Sequence, residues 1–122
     1  MANVEPVALM LCDRAEVGSD GKVSLIGLCD VLWAQGFPAV HPRLDVFWRC
    51  LLDGPDTVAV VVEGPDGQEL RRDVVSVAAG GAAQSIHRLT DLDLPIPGRY
   101  RVRLETASGP LVTTWFDASS RH

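Results

Sequence analysis

The clearest structural signals lie in LPIPGRYRVRLE, Leu94–Glu105. Pro95 and Pro97 carry no backbone N–H and cannot donate to a sheet ladder, so the segment around them reads as a corner where the chain passes between sheets. Beyond Gly98 the side chains alternate. Tyr100, Val102 and Leu104 share one face, and Arg99, Arg101, Arg103 and Glu105 share the other. Successive side chains of a strand point to opposite faces, so this strand has an apolar inner face and an arginine-rich outer one. Tyr100 resembles the tyrosine corner of Greek-key sandwiches, although the Cys…Trp…Cys spacing of immunoglobulin domains is absent.

Working outward, turn signals recur at short intervals: GSDG at 18–21, GFP at 36–38, DGPD at 53–56, GPDG at 64–67, AGGA at 79–82 and ASGP at 107–110. No run between them combines helical length with helical periodicity. The spacing predicts eight strands, near 6–14, 22–33, 44–52, 57–63, 69–77, 84–92, 99–106 and 110–117. GPDGQE has the composition of a tight hairpin, with Gly67 able to adopt positive φ, so the strands at 57–63 and 69–77 should be antiparallel neighbours. The expected fold is an all-β, antiparallel, immunoglobulin-like or C2-like sandwich, in a single domain over residues 1–122.

A chain of 122 residues, 47% hydrophobic and 22% charged, buries enough surface to fold without a metal or a disulfide. The net charge of −5, with no basic run beyond Arg71-Arg72, argues against nucleic acid and against anionic membranes as partners. The N-terminal segment MANVEPVALMLC lacks a basic n-region, and no stretch approaches a membrane span, so a cytoplasmic protein is expected. Three cysteines, an odd number, fit free thiols in that compartment.

Leu-Cys-Asp occurs twice, at 11–13 and 28–30. On a strand, adjacent Cys and Asp face opposite sides, whereas a ligand pair on one strand needs i, i+2 spacing. The echo therefore reads as packing rather than as a metal or redox site. A hairpin tip near 18–20 would set Cys12 opposite about residue 26. His41, in AVHPR, is either a ligand or acid/base group near Asp30 or a corner residue bonded to backbone. His87 lies on a strand facing opposite Ile86 and Arg88, and His122 is terminal. No Ser-His-Asp or Cys-His set follows from spacing, so no catalytic residue and no cofactor are assigned, and the chain is not expected to be an enzyme.

L-C-D at 11–13, G-K at 21–22, L-I-G at 25–27, Asp30, F-P at 37–38 and H-P at 41–42, together with L-P-x-P-G-x-Y at 94–100, resemble a family of small bacterial proteins of unknown function. The resemblance implies a β-sandwich. It implies no activity and supplies no catalytic residues.

Two further patterns carry possible chemistry. Antiparallel strands place loops alternately at the two ends of a sandwich, and Asp20, Asp53 and Asp56 fall at one end. Those three are candidates for a calcium-type metal site, against the plain reading of Asp as a turn residue. Arg99, Arg101 and Arg103 either pair with acids on neighbouring strands or form a face for an acidic partner or anionic ligand.

LDVFWRCLL (44–52) is apolar on both faces. If Leu44, Val46, Trp48 and Cys50 face the core, Phe47 and Leu51 point outward beside Asp45 and Arg49. The stretch at 22–33 has the same difficulty, with Trp33 among its large side chains. Such strands expect cover on both sides. The expectation is therefore a protein–protein contact, a homodimer or a hetero-complex, through the face bearing Phe47, Leu51 and Trp33, unless a loop such as 34–43 covers it. The function expected is a non-catalytic binding or assembly module. The alternative is a small-ligand or metal-dependent activity at the loop end.

Overall fold

The computed structural model describes residues 4–121, so the terminal His122 lies outside the described residues. Nine strands follow one another: β1 (Val4–Val17), β2 (Val23–Leu28), β3 (Val31–Ala34), β4 (Ala39–Leu52), β5 (Asp56–Glu63), β6 (Glu69–Val77), β7 (Gly81–Leu94), β8 (Gly98–Thr106) and β9 (Gly109–Ser120). They form a four-stranded sheet in the order β2-β1-β4-β7 and a five-stranded sheet in the order β3-β9-β8-β5-β6. All pairings are antiparallel except β3 with β9. No helix among the described residues is long and apolar enough to cross a membrane.

The corner behaves as its prolines require. β7 belongs to the four-stranded sheet and β8 to the five-stranded one, with Pro95 and Pro97 between them. The Tyr100 ring is buried and stacked on Phe116 at 5.1 Å. Its hydroxyl donates to the Ile96 carbonyl at 2.5 Å and accepts from the Ile96 amide at 3.3 Å. The β5–β6 hairpin closes through Gly64 N–H to Gln68 O at 2.8 Å, with Gly67 at φ 87°.

The predicted strand at 22–33 is two strands in two sheets. Gly27 adopts φ 71°. Cys29 N–H still bonds the Leu11 carbonyl of β1 at 3.0 Å, but the Asp30 carbonyl already accepts from Asp117 of β9 at 2.8 Å. The chain changes sheets within one residue there. A continuous apolar run contains no signal for such a crossing except the glycine. The register also differs from expectation. Val17 pairs with Val23 across a five-residue turn, which sets Cys12 opposite Leu28 rather than residue 26.

Between the sheets, Leu44, Val46, Trp48 and Cys50 of β4 meet Val58, Val60 and Val62 of β5 and Tyr100, Val102 and Leu104 of β8, all buried. Val61 of β5 points outward yet is fully buried. Arg72 and Arg103 flank it in register on the two neighbouring strands, and their aliphatic stems cover it.

Candidate binding surface

β1 follows β4 in register as far as Cys12, paired with Asp45, and then leaves the plane of the sheet. Three residues later the Ala15 amide donates to Asp45 Oδ2 at 2.8 Å, on the outer face. The hairpin of late β1 and β2 is thus an arm folded across that face. Its tip residues Gly21, Lys22 and Val23 share a hollow with Phe47, Arg49 and Gln84. Asp45 is the anchor. It is buried on the outward side of β4, where Arg43 holds both its oxygens, Nε to Oδ1 at 3.1 Å and Nη2 to Oδ2 at 2.8 Å. Burial alone would raise the Asp45 carboxyl. The hydrogen bonds from Arg43 and Ala15, and the charges of Arg43 and Arg88, outweigh it and hold the group below the ordinary carboxylate value. The sequence carried a faint signal of this anchor, since Arg43 and Asp45 sit two apart on one strand face.

The arm supplies the cover that a doubly apolar β4 requires, and it comes from 13–28 rather than from the loop at 34–43. Phe47 is half-buried beside the arm tip, whereas Leu51 stays exposed. Trp33 is exposed on β3, at the edge of the other sheet, with the Arg121 guanidinium 5.1 Å from its ring. The structure therefore does not bring Phe47, Leu51 and Trp33 onto one face.

The arm has its own outward side. From Lys22 to Ile26 exposure alternates, with Lys22, Ser24 and Ile26 exposed and Val23 and Leu25 half-buried; beyond it Gly27, Leu28 and Asp30 are exposed and Cys29 is half-buried. Ile26 is 44% and Leu28 61% exposed. At the arm's base a cleft of about 530 Å³ is lined by Asp13, Leu28, Cys29, Asp30, Trp33 and His41. The two Leu-Cys-Asp segments do converge there. Burial, with the charges of Asp13, Cys12 and Asp30, pushes the Cys29 thiol up to about 11, which disfavours the nucleophilic thiolate. Gly27 closes the base. A methyl on it would lie 2.4 Å from Asp13 Oδ2.

Asp20 Oδ1 accepts from the Lys22 amide at 3.0 Å. Asp56 Oδ1 accepts from the amides of Thr57 at 2.7 Å and Ala107 at 3.2 Å. Asp53 has interactions of its own. Among the described residues, no three His, Cys, Asp or Glu side chains are placed to hold a metal ion. Arg99 pairs with Asp117 at 3.0 Å and lies 3.9 Å from the Trp115 ring, while Arg103 binds Glu63 and Glu105. Arg101 has no ion-pair partner among the described residues. The row is largely neutralised by acids on adjacent strands.

Sequence reasoning missed one buried polar group outright. The Trp48 indole N–H donates to His87 Nε2 at 2.9 Å inside the sandwich, and Asp73 Oδ2 lies 3.9 Å from His87 Nδ1. Strand alternation, with His87 on the face opposite Ile86 and Arg88, was the available signal.

Two layers, a tyrosine corner and a strand that switches sheets define the class as an immunoglobulin-like β-sandwich. The chain belongs to the family of unknown function DUF6941, which matches residues 7–114. No curated protein matches the sequence. Among solved structures, the Pseudomonas fluorescens alkylpurine DNA glycosylase AlkC bound to abasic-site DNA is similar, with a TM-score of 0.55 and 14% identity, over 94% of this chain and 30% of that one. A β-glucosidase from Listeria innocua is similar with a TM-score of 0.54 and 14% identity, over 100% of this chain and 16% of that one. An immunoglobulin-like protein of Pseudomonas aeruginosa aligns over 96% of this chain and 97% of its own at 17% identity, with a TM-score of 0.45. The chain spans under a third of the length of the glycosylase and the glucosidase. At these identities the likeness is one of fold.

Proposed function

We propose that the chain is a non-catalytic binding or assembly module that recognises a protein partner at its folded-over arm. One observation carries this reading: β2 is a sheet edge without charge or proline, bent only near its end at Gly27, φ 71°. Residues 23–28, VSLIGL, contain no charge and no proline, and Ile26 and Leu28 are exposed. Soluble proteins usually guard an edge with charge, a bulge, shortness or cover. The other three edges have such guards. β3 is four residues long. β6 turns Arg71 and Asp73 toward the gap between the sheets, on the side of Val62 and Val60. β7 has Arg71 reaching across from β6 to cap the Thr90 carbonyl at 2.5 Å. An uncharged strand edge beside exposed apolar side chains suits the addition of a partner strand.

The test is a photo-activatable cross-linking residue in place of Ile26, irradiated in cells of the source organism. A discrete protein adduct is expected, and it should disappear when Leu28→Lys is added. Absence of any protein adduct, with the variant folded, overturns the reading.

A further inference from the structure

We infer that the outer face of the five-stranded sheet, over β3, β9 and β8, is a second contact surface. Its partner is a short extended protein segment that carries two spaced carboxylates with apolar side chains between them. The register places the residues. On β9 the core-facing side chains are Phe116 and Ala118, so Trp115, Asp117 and Ser119 point outward, and Arg121 follows just past the strand's end. Trp115 pairs with Arg101 and Asp117 with Arg99 on β8. Ser119 pairs with Trp33 on β3, whose neighbour Leu32 lies in the core. Two of the three tryptophans thus stand on one face, Trp33 53% and Trp115 42% exposed. Each has a guanidinium against its ring, Arg121 at 5.1 Å from Trp33 and Arg99 at 3.9 Å from Trp115. The arm belongs to the other sheet, so this inference does not rest on it.

Charge identifies the partner. On this sheet Glu63, Glu69, Glu105 and Asp117 are taken by Arg72, Arg99 and Arg103. Arg101 and Arg121 are left over, with no ion pair among the described residues. Arg101 lies in register between Glu63 and Trp115, and Glu63 is already bound by Arg103. In a chain of net charge −5, two unpaired guanidiniums beside exposed indoles are a local reversal of sign. A carboxylate placed there gains a charge-assisted hydrogen bond, and apolar side chains gain cover on the rings. Exposed Trp and Arg are also the side chains that contribute most at contact surfaces. From Trp115, opposite Arg101, to Arg121 is six residues, or about 20 Å of extended chain. The partner's carboxylates therefore belong about six residues apart on an extended segment. A dense polyanion such as nucleic acid fits poorly. Asp117 stands between the two guanidiniums, and Asp13 and Asp30 line the cleft where Trp33 meets the arm's base, so further negative charge is repelled.

Fluorescence anisotropy of the full chain with a labelled, end-capped synthetic peptide, Glu-Thr-Val-Thr-Leu-Thr-Glu, tests this. Alternation puts its two Glu, Val and Leu on one side. The control peptide has Gln for both Glu, and thermal melts confirm that each variant folds. The Glu peptide should bind at least about tenfold tighter than the Gln peptide, and Arg101→Glu should remove about that factor. Trp115→Ala should weaken binding by about tenfold as well. Arg72→Ala, which removes a paired arginine of the same face, and Ile26→Lys on the arm should leave binding unchanged. Absence of binding at millimolar peptide overturns the inference. So does equal binding of the Gln peptide, or an Arg101→Glu variant that binds as the wild type does. A single-stranded oligonucleotide that binds as tightly as the Glu peptide would reject a protein segment as the partner. Loss of binding in Ile26→Lys would move the site to the arm and reject this face.

Discussion

His87 shows how one side chain links packing to pH. Its Nε2 accepts from the Trp48 indole, so the ring must be neutral with its proton on Nδ1, toward Asp73. Burial lowers the His87 pKa below its ordinary value, and the Asp73 carboxylate offsets this only in part. The folded state thus binds a proton less readily than the unfolded chain, and stability rises with pH across that interval. His87 contributes fully above the unfolded value of about 6.5 and loses its contribution as pH falls toward the folded value. Urea midpoints should therefore drop between pH 7.5 and 5.5, and His87→Gln, which keeps an acceptor and cannot titrate, should flatten that slope. An unchanged slope would exclude His87 as its source. Asp45 acts in a separate, more acid window, because its lowered carboxyl pKa contributes stability that is lost only below the unfolded carboxylate value. The His87 contact was not legible in the sequence, because Trp48 lies 39 positions away; for Asp45 only the nearby Arg43 was legible, and the Ala15 amide, 30 positions away, was not.

At the scale of elements, the corner, the 64–67 hairpin and the arginine strand were all legible, because each is encoded by neighbouring residues: two prolines, a turn glycine, a period of two. The arm was not. β2 and β3 form one apolar run in the sequence, and only the contacts of Leu11, Asp45 and Asp117 show where it divides. The arm is held down at Asp45, where one carboxylate oxygen takes both the Ala15 amide and Arg43 Nη2. Asp45→Asn removes the charge and should cost about 1–3 kcal/mol. It should also raise hydrogen exchange at 15–25 well above that of β5 and β8. Equal protection in the variant and the wild type would show that the arm is held by something else. The corner makes the contrasting case. Tyr100→Phe removes only the two bonds to Ile96 from an otherwise packed ring, and a loss of about 1 kcal/mol in chemical denaturation is expected, with no change in the arm's exchange. A loss confined to the arm would contradict that placement.

The whole molecule is a sandwich whose open sides are managed unequally. On the side where β6 and β7 lie across from each other, polar side chains close the gap: Arg71 reaches the Thr90 and Asp91 carbonyls, and Asp73 approaches His87. These groups sit on the core-facing side of β6, where burial favours apolar residues. Their use there is a guard against edge pairing. Arg72, the next residue, points outward and pairs with Glu69 and Glu105. The two neighbours separate charge as such from charge at the edge. Arg71→Leu frees the carbonyls of the β7 edge and adds apolar surface to the gap, whereas Arg72→Leu removes the same charge from the outer face. Concentration-dependent light scattering near the melting midpoint should rise sharply for Arg71→Leu and stay near wild type for Arg72→Leu. Added Ile26→Lys should leave that scattering unchanged, because Ile26 is not on the β7 edge that Arg71 guards. Equal scattering from the two arginine variants would mean that net charge, and not the guarded edge, keeps this side of the molecule from self-association.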